Sequence, residues 1–89
     1  MVSDEIIHII TAELDDRDWI PLAIALGVSE EECRLIQRKF PGRARRQVHQ
    51  MLLMWRQQQG QSANLNKLRQ ALSIIGLDDV VSSLKPGFR

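Results

Sequence analysis

The sequence predicts an all-α fold, and three observations carry that prediction. Apolar residues recur at three- and four-residue spacing nearly throughout. No segment alternates with period two for long enough to make a strand. Glycine, proline and polar breakers cut the helical pattern into about six pieces, each only a few turns long. Helices this short do not hold alone, so their apolar faces must be buried against one another.

The first helix is expected from about Ser3 to Leu14, with Ser3 as N-cap, Asp4 and Glu5 favourable in the first turn, and Ile6, Ile9 and Ile10 on one stripe. The second begins in the Asp15, Asp16 cluster, turns Trp19, Leu22, Ala23 and Leu26 inward at i, i+3, i+4, i+7, and stops at Gly27. The third opens on Ser29-Glu30-Glu31-Glu32, an S-x-x-E capping box, and buries Cys33, Ile36 and Phe40 before Pro41. The fourth and longest, about Arg43 to Gln59, groups Ala44, Val48, Met51, Leu52 and Trp55 on one face. Gly60 closes it. Asn64 caps the fifth, which buries Leu65, Leu68, Leu72 and Ile75 and ends at Gly76. The sixth is short, about Leu77 to Leu84, with Asp78 and Asp79 at its positive end.

Eighty-nine residues suffice for one domain with one modest core, and residues 1–89 read as a single unit excised from a longer protein. The lone Cys33 cannot form an intrachain disulfide, and the N-terminus lacks the order of a signal peptide, so a cytoplasmic location is expected. No apolar run approaches the roughly 18 residues of a membrane span. The net charge of +1 conceals a segregation. Residues 1–33 hold nine acids against Arg17 alone, whereas the remainder holds eleven bases against Asp78 and Asp79. Such separation suits a partner with the opposite face, the alternative being that the two signs meet inside the fold.

No enzyme chemistry is legible. His8, His49 and Cys33 occupy different helical stripes, with neither H-E-x-x-H nor C-x-x-C spacing, and no glycine-rich phosphate loop occurs. Neither a metal nor another cofactor, nor a small-molecule substrate, is implied. The stretch from Arg38 to Arg46 carries five bases and raises nucleic-acid binding as an alternative. Its Phe40 and Ala44 are claimed by the core, no aromatic platform flanks the bases, and nearby glutamates would repel a phosphate backbone, so no nucleic acid is expected as a partner.

The order Asp18-Trp19, Leu22-Ala23, Leu26-Gly27-Val28-Ser29, Ile36, Phe40-Pro41, Met51-Leu52, Trp55, Gly60, Ala63, Leu68, Ala71-Leu72 and Val80 to Leu84 resembles the death domain family over about Ile6 to Leu84. Within it, Ala23 to Ser29 and Met51 to Trp55 are similar to the scaffold that recruits caspase-2, Trp55-Arg56-Gln57 with Gly60 to its adaptor, and Leu77 to Pro86 to ankyrins. The resemblance implies a six-helix antiparallel Greek-key bundle and a non-enzymatic module that binds other death domains, itself included, in apoptotic or innate immune signalling. An ankyrin-like structural or regulatory role is the alternative.

Apolar residues on faces expected to be wet mark the candidate surface. Leu53 lies about 150° from the core stripe of the fourth helix. Ile20 and Ile24 stand away from the core face of the second, and Leu35 points opposite to Cys33 and Ile36. The family's asymmetric mode of association implies an acidic surface on the second and third helices meeting a basic one on the first and fourth. That maps onto an acidic surface with Ile20, Ile24, Glu30 and Glu31 and a basic one with Arg43, Arg46 and Leu53, and Asp15, Asp16, Asp18, Leu35, Arg38 and Gln57 complete the interface candidates.

Overall fold

The computed structural model describes residues 2–14 and 17–84. They form six α-helices: α1 (Asp4–Glu13), α2 (Ile20–Ala25), α3 (Glu30–Lys39), α4 (Ala44–Gln59), α5 (Leu65–Ile74) and α6 (Asp78–Ser82), with a 3-10 turn at Gly60–Ser62.

The caps read from the sequence fix most of the boundaries. Ser3 Oγ accepts the Ile6 N–H at 3.3 Å, and Asn64 Oδ1 accepts that of Lys67 at 2.9 Å. Ser29 and Glu32 complete the reciprocal capping box, each side chain accepting the other's backbone N–H at 3.1 Å. At the ends of α2 and α5 the chain turns through left-handed Gly27 and Gly76. Beyond them the N–H of Val28 reaches the Ala23 carbonyl at 2.9 Å and that of Leu77 reaches Leu72 at 2.8 Å, the Schellman pattern in both cases.

One boundary departs from expectation. Asp15 and Asp16 lie outside the described residues, and Arg17 to Trp19 are not helical, so α2 starts only at Ile20. The physical reason is local: Asp18 Oδ1 accepts the Ile20 N–H at 3.1 Å, and Pro21, which has no N–H to leave unpaired, occupies the first turn. The helix therefore begins only after Trp19.

Helix α4 is the axis of the bundle, packed by α1 on one side and α3 on the other, while α2 joins α3 to α5 and α5 carries α6. The core is one contiguous cluster in which Ile7, Ile10, Leu22, Val48, Met51, Leu52, Trp55, Leu68 and Leu72 are essentially sealed from solvent. Both tryptophans belong to it, Trp19 being 3 % and Trp55 1 % exposed. Phe40, Leu65 and Ile75, expected inside, are only half-buried and pack on its edge. Phe40 falls at the end of α3, where the Pro41-Gly42 turn leaves one side of its ring uncovered.

A polar contact that hydrophobic periodicity does not reveal runs through this core. Trp19 Nε1–H donates to Gln47 Oε1 at 2.9 Å, and Gln47 Nε2 donates to the Phe40 carbonyl at 2.8 Å. Gln47 is buried, so both halves of its amide are satisfied within the protein, as burial of an amide requires. Truncation of Gln47 to Ala orphans the indole N–H, leaves the Phe40 carbonyl with only the Arg43 N–H, and is expected to cost about 1 to 3 kcal/mol in urea unfolding. Trp55→Ala, which removes a larger apolar side chain and leaves a cavity, is expected to cost more, about 3 to 5 kcal/mol.

Candidate protein-interaction surface

The groups able to do chemistry are placed first by their surroundings. Cys33 is buried on α3, and burial, aided by the negative charge of Glu32, Glu30 and Asp18, pushes its thiol above the ordinary range. The neutral thiol is a poor nucleophile. His8 and His49 lie on different helices, but α1 and α4 run antiparallel, with Asp4 beside Arg56 at one end, and both imidazoles line one groove. No group of three or more His, Cys, Asp or Glu able to hold a metal is found among the described residues.

Part of the charge separation seen in the sequence is consumed inside the molecule. Arg56 Nη1 donates to Asp4 Oδ1 at 2.7 Å and to the Val2 carbonyl at 3.1 Å, fastening the N-terminal segment to α4. Arg17 pairs with Asp79 through two hydrogen bonds, of 2.6 and 3.3 Å, and holds its carboxyl below the ordinary range. Gln58 donates to Glu32 at 2.6 Å, and Arg34 stands 3.7 Å from Glu30 along α3. The exposed pairs are screened by water and add little stability.

The charges left over define the surface. Glu31 on α3 and Arg38, Arg43 and Arg46 are exposed, and among the described residues none has an ion-pair partner. Glu31, Leu35 and Arg38 follow one another at i, i+4, i+7 and so share one stripe of α3. Leu35 on it is 56 % exposed, and Ile24 at the end of α2 is 45 % exposed. Gln57 is exposed, and Asp18 is exposed with its carboxylate engaged at the start of α2.

Two apolar candidates are placed differently from expectation. Ile20 and Leu53 are partly buried and pack against the core. The reason for Leu53 is that α4 has neighbours on two sides, which cover a wider arc than a single stripe; α2, between α3 and α5, treats Ile20 similarly. Among the described residues the most exposed large apolar one is instead Ile74, at 77 %. It stands about 120° from the centre of the α5 stripe, a signal that the 100° step could have supplied. An aromatic ring also stands beside the bases, contrary to the sequence reading: Lys39 Nζ lies 5.9 Å from the centroid of Phe40.

A family model of the death domain matches residues 4–87, nearly the whole chain. The chain belongs to the death domain family. No curated protein matches it. Death domains are protein-interaction modules of signalling rather than enzymes, and their partners are other death domains. The all-helical bundle is that fold, and no helix among the described residues of this death domain is long and apolar enough to cross a membrane.

The acidic end of α3 in this death domain is ordered by Glu32. Its hydrogen bond from the Ser29 backbone, then that from Gln58, hold its carboxyl below the ordinary value of 4.5. Because the folded-state value is depressed, the stabilisation is present above the unfolded value and is lost as pH falls through the folded one. Acid titration of stability should therefore show a loss beginning below about pH 4.5, and Glu32→Gln should flatten it. Ser29→Ala, removing the other half of the box, should cost roughly 1 kcal/mol at neutral pH with helical content retained.

Proposed function

We propose that this death domain associates asymmetrically with another death domain, the acidic face of α2 and α3 on one molecule meeting the basic face at the start of α4 on the next. The acidic face comprises Ile24, Glu30, Glu31 and Leu35, with Asp18 and the exposed part of Ile20 beside it. The basic face comprises Arg43 and Arg46, with the exposed edge of Leu53 beside them and Gln57 farther along α4, whereas Arg38 shares the α3 stripe of Glu31 and Leu35. A second copy of the chain is the simplest partner, and cytoplasmic assembly in apoptotic or innate immune signalling is the setting we infer.

The observation that carries this reading is selective pairing. Asp4 pairs with Arg56 and Arg17 with Asp79 within the molecule, whereas Glu31 and Arg46 are exposed and without ion-pair partners among the described residues. Two different faces of opposite sign make a heterologous contact, which extends into filaments or closes into rings and does not stop at a symmetric dimer. Charge steers and selects the encounter, and apolar side chains such as Ile24 and Leu35 supply most of the affinity.

Reversing one charge on either face tests the reading. Arg46→Glu and Glu31→Arg should each abolish association in sedimentation velocity while circular dichroism is unchanged, since exposed substitutions shift stability by under ~0.5 kcal/mol. Wild-type association should weaken as ionic strength rises toward physiological, where charges are screened within about 8 to 10 Å. Assembly unaffected by both reversals would refute the proposal. Leu53→Asp is a poor probe, because it would place a carboxylate against the core as well as at the contact.

A further inference from the structure

The groove between α1 and α4 has a composition that protein contact alone does not require. It encloses about 360 Å³, within the range of about 300 to 1,000 Å³ typical of small-molecule sites. One wall is the face of α1 carrying His8, Thr11 and Ala12 at i, i+3, i+4, and the other is the start of α4, from Arg45 to Gln50. The half-buried ring of Phe40 closes the end. No carboxylate lines it among the described residues.

We propose that this groove binds a small molecule carrying a flat ring and an anionic group, a carboxylate or phosphate. The guanidinium of Arg46 has no ion-pair partner among the described residues, and its fork geometry suits two oxygens of one anion. His8 and His49, in either protonation state, offer an N–H donor and a flat π face, and neither makes a side-chain hydrogen bond among the described residues. Phe40 and the methyl of Ala12 supply the apolar surface that a ring would cover. Thr11 already donates its hydroxyl hydrogen to the Ile7 carbonyl at 2.8 Å, so its oxygen can only accept, which favours a ring with an N–H or O–H over a plain hydrocarbon. The signs and shapes of the lining thus select both halves of the ligand.

The site stands apart from the assembly reading. The two share Arg46, so occupancy of the groove would displace a partner from the basic face. That consequence rests on the proposed contact, whereas binding itself does not. Titration of the chain, followed by amide chemical shifts, separates the two. Adenosine 5′-monophosphate serves as the probe for ring plus anion, with adenosine and inorganic phosphate as the two halves. Saturable shifts confined to residues around Thr11, Ala12, Phe40, Arg46 and His49 are expected with the nucleotide, and binding about tenfold or more weaker with either half alone. Arg46→Glu should abolish nucleotide binding, and His49→Ala should weaken it by about tenfold with the fold intact. The absence of saturable shifts at about millimolar nucleotide, phosphate binding as tight as the nucleotide, or shifts that persist in Arg46→Glu would each overturn the proposal. A monomeric wild-type protein that still binds the nucleotide would refute the assembly reading alone.

Discussion

The geometry of the bundle depends on one buried amide. Gln47 sits near the start of α4 and joins the indole at the entrance of α2 to the last carbonyl turn of α3. Apolar packing is nondirectional, so it buries these three elements without fixing how far each is rotated or slid along its neighbour. Two hydrogen bonds of defined direction do fix it. A buried amide whose oxygen and nitrogen each hold a partner tolerates little displacement, because losing the bond to the indole leaves a desolvated N–H behind.

That constraint reaches the surface. Gln47 holds the C-cap of the helix whose first turn carries Glu30 and Glu31, and Arg46 is its immediate neighbour in α4. Where the fold does bring opposite charges together, at Asp4 with Arg56 and Arg17 with Asp79, the pairs fasten the N-terminal segment to α4 and the approach to α2 to α6. The basic face gains an added feature from α1, whose His8 completes a groove that α4 alone would leave open.

Much of the architecture was legible before the coordinates. Capping boxes, C-terminal glycines and 3.6-residue stripes are local signals, and Ser3, Ser29, Gly27, Asn64 and Gly76 act where the pattern put them. What escaped was set by tertiary neighbours. The start of α2 is displaced by an Asx contact and a proline, Leu53 is covered because α4 is flanked on two sides, and the role of Gln47 has no sequence signal because a single polar residue in a helix carries no sign of its distant partner. The convergence of His8 and His49 is of the same kind, since stripes on separate helices say nothing of how those helices meet.

The claim that matters most is that the two faces are distinct and complementary, and mixing defective molecules tests it directly. A Glu31→Arg variant keeps an intact basic face, and an Arg46→Glu variant keeps an intact acidic one. Each should sediment as a monomer alone, and an equimolar mixture should form a heterodimer that grows no further, because the only undamaged contact is used once. Failure of the two to pair, or continued assembly of either by itself, would contradict the head-to-tail account and leave the charge segregation without a role in association.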